Sequence, residues 1–124
     1  MRIRCALFVC FLALALAGCR LNAVSTEAGD IKKDQFYAVL LNGGQVYFGK
    51  LEGLGTQYPV LTEVFYVQSR QDPDTKQVSN ILVKRGKEWH APDRMIINAS
   101  QIVLIEPVTA GSRVAQLIAE ARNK

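Results

Sequence analysis

Cysteine is missing from the part of this chain where it would matter. The 124 residues hold three cysteines, Cys5, Cys10 and Cys19, all close to the N-terminus. Beyond Cys19 no thiol remains to form a disulfide, complete a zinc site or attack a substrate. Histidine occurs once, as His90, and tryptophan once, as its neighbour Trp89. A zinc centre takes three or four protein ligands, and one imidazole with carboxylates is a poor set, so no metal or cofactor is expected. The serines Ser69, Ser79, Ser100 and Ser112 sit in no Gly-x-Ser-x-Gly elbow. A general base built from His90 with Asp93 and one of these serines is the one route left to a small hydrolase. Charge of one sign is also scarce. The formal charge is +4, and removing Arg2 and Arg4 with the N-terminal segment leaves +2, too little to argue for nucleic acid. Lys84, Arg85 and Lys87 cluster, but Glu88 and Asp93 lie among them, so the stretch reads as a mixed, solvated loop. Asp72 and Asp74 flank Pro73, and turn chemistry accounts for both.

What is present begins at the N-terminus. Arg2 and Arg4 precede an uncharged run from Cys5 to Gly18, shorter than the ~20 residues that span a bilayer. Basic residues, a short apolar core and small residues before a cleavage point make a secretory signal peptide over residues 1–18. The run closes on Leu16-Ala17-Gly18-Cys19, which resembles the lipobox of bacterial lipoproteins. That resemblance implies cleavage before Cys19, diacylglycerol on its sulfur and anchoring in a membrane. Arg20 follows where an Asp would favour the inner membrane in enteric-type bacteria, which points to the outer membrane and its periplasmic face. The mature chain is then 124 less 18, or 106 residues, enough for one small domain.

Residues 19–34 are polar and aperiodic and read as a flexible tether with an r.m.s. reach of ~20 Å. Residues 35–107 read as short strands separated by turns. Phe36 to Leu41 is apolar and aromatic, Asn42-Gly43-Gly44 is a tight turn, and Gln45 to Leu51 returns as a hairpin. Gly49 inside that return strand marks a bend. Pro59 opens a long strand through Ser69, and Asp72-Pro73 turns the chain into Asn80 to Lys84. Met95 to Ile97 and Ile102 to Ile105 are two further short strands around Asn98-Ala99-Ser100. In residues 108–124, Ser112 is a helix N-cap and Val114, Leu117, Ile118 and Ala121 share one helical face. The expectation is an all-β domain, a small antiparallel barrel of five or six strands with a short C-terminal amphipathic helix over its open end. Tyr37, Tyr47, Tyr58 and Tyr66 are spaced for strand interiors and are expected in or beside the core.

Gly44-Gln45-Val46-Tyr47-Phe48-Gly49-Lys50-Leu51, with Leu61-Thr62-Glu63-Val64 downstream, resembles the first motif of Sm-like proteins. Ile96-Ile97-Asn98-Ala99-Ser100-Gln101-Ile102-Val103-Leu104-Ile105 resembles the second. Similar hairpins occur in small uncharacterised bacterial β-rich proteins. The resemblance implies an Sm-like or SH3-like barrel. It does not carry the RNA function, because Asn98-Ala99 replaces the Arg-Gly pair and the loop from Gly53 to Pro59 has no acidic residue or asparagine. An exported Sm-like nucleic-acid-binding domain is therefore a minor alternative.

The functional expectation is a membrane-anchored envelope lipoprotein acting as a non-enzymatic binding or assembly module. Its partner would be a protein, an envelope component or a second copy, added along an exposed strand edge. Trp89 and His90 are the candidate contact residues, an aromatic beside polar groups in a loop. The alternative for Trp89 is packing over a barrel end.

Overall fold

A computed structural model describes residues 30–123. The expected signal peptide, Cys19 and the tether as far as residue 29 lie outside the described residues. The elements are β1 (Phe36–Leu41), β2 (Val46–Glu52), β3 (Val60–Gln71), β4 (Val78–Lys84), β5 (Arg94–Ile96), β6 (Ile102–Pro107) and α1 (Arg113–Arg122), with one 3₁₀ turn at Ala99–Gln101. All strand pairs are antiparallel. The path across the sheet is β4-β3-β2-β1-β6, with β5 also paired to β3.

Local chemistry explains the turns. The Gly44 N–H donates to Leu41 O at 2.8 Å and Gly44 takes φ 82°, so a residue without Cβ closes the first hairpin. At the far hairpin the Asp72 carboxylate accepts from the N–H groups of Asp74 and Thr75, each at 2.9 Å. Those two backbone donors, Thr75 first, hold the Asp72 carboxyl below its usual range. The pair Asp72 and Asp74 is thus turn chemistry.

β3 organises the sheet. At twelve residues it is long enough to change partners along its length. Val60 to Thr62 lie between β2 and β5, Phe65 and Tyr66 lie between β2 and β4, and Val67 to Gln71 pair with β4 alone. β4 and β5 therefore occupy one edge of β3, interrupted by the loop from Arg85 to Asp93. Where the interruption falls, β3 bulges. The pairing with β2 slips between Phe48 and Lys50, and Glu63 takes φ 50°, an uncommon value for a residue with a side chain.

The two faces of the sheet bury separate sets. Tyr37, Val39, Leu51, Leu61, Val64 and Ile97 form the main core. Phe65 alternates to the opposite face, is fully buried, and meets Phe36 edge-on with centroids 6.1 Å apart. The helix covers that second face. Ser112 Oγ accepts from the Ala115 N–H at 3.1 Å as its N-cap, and Ile118 is buried. Arg122 at the last turn reaches Glu63 at 3.6 Å.

The expected barrel is corrected in one respect: the sheet does not close. Among the described residues β6 pairs with β1 only and β5 with β3 only. The chain between them crosses the end of the sheet, pinned where the Ile97 N–H donates to Pro59 O and the Asn42 N–H donates to Gln101 O. That crossing delivers β6 to the outer side of β1, where it pairs with β1 and not with β5. The helix, expected over a barrel mouth, instead lies on the Phe36–Phe65 face.

Candidate functional site

Among the described residues, the side chains proposed from sequence for chemistry are not brought together. His90 is exposed and lies in no hydrogen bond or ion pair. Asp93 faces Arg94 at 3.5 Å. Ser69 donates to Asn80 Oδ1 at 2.8 Å, Ser79 to Arg70 O at 3.4 Å, Ser100 to Asn98 Oδ1 at 2.9 Å, and Ser112 caps α1. Each serine has a local structural partner and a place remote in the fold from a triad. No group of three or more His, Cys, Asp or Glu side chains among the described residues has metal-binding geometry.

Trp89 does not pack over a sheet end. Its relative exposure is 106%, so the whole indole projects into solvent. The loop that presents it is nevertheless well braced. Arg85 N–H donates to Val64 O at 2.8 Å, which anchors the loop opposite the β3 bulge. The Glu88 carboxylate accepts from the Gly86 N–H at 2.7 Å and from Arg85 Nε at 3.1 Å. The Gly86 N–H is the main reason its carboxyl titrates low. Arg85 Nη1 reaches Met95 Sδ at 3.3 Å, and its guanidinium lies 5.8 Å from the Tyr47 ring centroid. Ala91 N–H donates to Glu88 O at 2.8 Å, and Ala91 itself takes φ 43°. Arg85 is therefore a structural brace and not part of a free basic cluster.

Glu63 is a residue that sequence reasoning missed. Its carboxylate binds Lys50 Nζ at 2.8 Å and Arg122 Nε at 3.6 Å. The hydrogen bond from Lys50 lowers its pKa most, opposed by partial burial and aided by the charges of Lys50, Arg122 and Lys84. It lines a cavity of about 260 Å³ with Lys84, Arg85 and Arg94, in the gap between β4 and β5. The signal was available: Glu63 is the one charged residue in the run from Val60 to Val67.

The sheet edges are the second surface. On β6, Val103 and Leu104 are both exposed, because the pairing with β1 slips from Leu40–Leu104 to Leu41–Ile102 and leaves Val103 as a bulge. An apolar groove of about 700 Å³ runs beside this strand, lined by Ile31, Tyr37, Leu54, Val103, Ile105 and Pro107 among others. On the other edge, Val67 and Val78 are exposed on the β3–β4 ribbon. Tyr47 and Tyr66 stack edge-on beside the core with centroids 6.3 Å apart, and Tyr37 is buried. Tyr58 departs from the expectation and is 55% exposed, because it sits in the turn before β3. No helix among the described residues is long and apolar enough to cross a membrane.

No protein-family model matches the chain, and no curated protein matches it.

Proposed function

We propose that this protein is a lipid-anchored envelope module that binds or assembles by adding a strand to its sheet edge, without an enzymatic role of its own. The observation that carries the reading is the β6 edge. It holds Val103 and Leu104 exposed beside an apolar groove, with the backbone groups of its outer side unpaired among the described residues. Natural sheets protect such edges with lysine, proline, bulges or covering loops. Here Pro107 closes one end, Glu106 is the one charge from Ile102 to Pro107, no lysine is present, and the bulge at Val103 leaves Leu104 to Glu106 as the regular stretch open to a partner. An extended segment from a protein partner or a second copy would gain main-chain hydrogen bonds along the edge and side-chain pockets in the groove.

The anchor in this proposal is Cys19, supported by Leu16-Ala17-Gly18-Cys19, and the location is the periplasmic side of the outer membrane, supported by Arg20. The sheet is taken as an opened relative of the Sm-like or SH3-like barrels. Support comes from the first motif, which falls on the turn before β2, on β2 and on the start of β3, with Gly49 against the β3 bulge. Trp89 and His90 are kept as contact residues on a separate surface.

The test is site-specific photocrosslinking in the native envelope from position 103, with position 74 in the exposed β3–β4 turn, at the far end of the sheet from β6, as control. A discrete adduct from position 103, lost when the neighbouring Leu104 is changed to lysine, is expected. Equal labelling from both positions, or none from position 103, overturns the edge reading. In parallel, Cys19→Ser should leave the unprocessed precursor, and an unmodified mature Cys19 would remove the anchor from the proposal.

A further inference from the structure

The loop between β4 and β5 pairs a fully exposed tryptophan with cations that have no ion-pair partner. In the stretch from Lys84 to Arg94, Arg85 is held by Glu88 at 3.1 Å and Arg94 by Asp93 at 3.5 Å. Lys84 and Lys87 have no carboxylate within salt-bridge distance among the described residues, and both are exposed. Lys84 only contributes at longer range to the field on Glu63. Trp89 lies between these groups and the polar His90 and Pro92. An indole with lysines beside it suits the boundary between water and an anionic bilayer, where the ring sits at headgroup depth and the ammonium groups meet phosphate. The loop neighbours of Trp89 from Lys87 to Ala91, Glu88 excepted, are all exposed, so the ring and the Lys87 ammonium can meet one flat surface together.

The base of this loop is linked to the start of β1 through side chains. Lys50 Nζ lies 5.9 Å over the Phe36 ring and binds Glu63 at 2.8 Å. Glu63 lines the cavity under the loop with Lys84 and Arg85. Arg122, also on Glu63, shares a groove with Lys32, Asp34 and Phe36. Thus Phe36, the first residue of β1, is separated from the base of the loop by a single lysine–glutamate bridge. Upstream of Phe36 the described chain runs to the groove beside β6, where Asp30 and Ile31 line it and Ile31 packs on the main core, so the anchor supplies nearness to the bilayer and the loop's own Trp89, Lys84 and Lys87 supply the orientation.

We propose that the Lys84–Arg94 loop is a membrane-facing surface, with Trp89 seated in the interface of an anionic phospholipid bilayer and Lys84 and Lys87 on its headgroups. The inference rests on the reading that the N-terminal segment anchors the chain in a membrane. The brace formed by Arg85 and Glu88 presets the loop, so little ordering is needed on contact.

Trp89 is the only tryptophan of the chain, so its emission reports this loop alone. The full chain is reconstituted into phosphatidylcholine vesicles with and without phosphatidylglycerol, some carrying brominated acyl chains. Flotation reads the anchor, and quenching of Trp89 by bromine reads the loop. The expected result is flotation with both vesicle types, and a blue shift with strong quenching only when phosphatidylglycerol is present. Lys84→Gln with Lys87→Gln should weaken loop insertion by about fivefold per lysine while flotation is unchanged. A floating protein whose Trp89 stays unquenched overturns this inference and leaves the anchor standing. A protein that does not float overturns the anchor, and the inference with it. A blue shift that depends on protein concentration and not on lipid shows a second copy on Trp89 and also overturns it.

Discussion

Gly49→Ala is the most direct probe of how the sheet is packed. Gly49 lies in β2 opposite the bulge of β3, and a Cβ built there would fall 2.6 Å from Leu61 Cγ, 2.8 Å from Thr62 O and 3.1 Å from Leu61 Cδ2. The first contact is with a fully buried side chain and the second with backbone. Neither can swing aside. Leu61 would leave its rotamer, at about 0.5–1.5 kcal/mol, and β3 would shift at the bulge, bringing the total overpacking cost to about 1–3 kcal/mol. Replacing glycine by alanine returns about 0.4–1 kcal/mol through the unfolded chain, so the net loss is about 1–2 kcal/mol. Gly49→Val adds two more methyl groups in the same place and belongs at or above the upper figure. Gly43→Ala is the control, since a Cβ there meets nothing within 4 Å and the turn remains open. Urea titration followed by far-ultraviolet circular dichroism is the assay, because Trp89 is already solvated and its emission would not follow unfolding. A lower midpoint at constant slope is expected for Gly49→Ala and an unchanged or slightly higher one for Gly43→Ala. Leu61→Val should recover part of the loss when combined with Gly49→Ala, since the two sites touch. Gly49→Ala with unchanged stability would refute the close approach of β2 to the β3 bulge.

Glu63→Gln tests the ion-pair hub. Because Glu63 titrates below its ordinary range when folded, its contribution is present above the unfolded pKa and is lost as pH falls through the folded one. The variant should be about 0.5–1 kcal/mol less stable at neutral pH, with the gap closing below about pH 4, as read by denaturation at both pH values; a gap independent of pH would contradict the bridge. Ile118→Ala should cost about 2–4 kcal/mol in the same assay if α1 seals the Phe65 face, and a loss under about 0.5 kcal/mol would mean the helix is not docked. His90→Ala should leave stability within about 0.5 kcal/mol and leave any cellular rescue intact, whereas a folded protein that fails to rescue would return the hydrolase alternative.

Short-range signals carried most of the strand plan. Aromatic and β-branched runs at Phe36 to Leu41 and Val60 to Val67, the Asn42-Gly43-Gly44 turn and the Asp72-Pro73 turn act within a few residues, so they were legible. The Ser112 cap and the helical spacing of Val114, Leu117 and Ile118 are of the same kind. What remained hidden depends on residues distant in sequence. The position of Gly49 is set by Leu61 and Thr62 across the sheet, so its need for a missing Cβ is crowding and not only a bend. The role of Glu63 comes from Lys50 and Arg122, which converge only after β2, β3 and α1 are assembled. Arg85 reads as part of a mixed, solvated loop until Glu88, Met95 and Tyr47 surround it.

By itself the sequence determined that this domain, if trimmed before Cys19, holds together without disulfides, that its strands are short and antiparallel, and where they turn. Those follow from composition and from hydrogen-bonding preferences that act locally. Tertiary structure alone decided that the sheet stays open, that the helix covers the Phe36–Phe65 face, and that Trp89 is left wholly in solvent. Each of these is a competition between distant surfaces for one apolar face or one strand edge. A pattern of residues along the chain ranks no winner in that competition. The crossing from Ile97 to Gln101 settles it by carrying β6 to the outer side of β1 and leaving its edge unpaired.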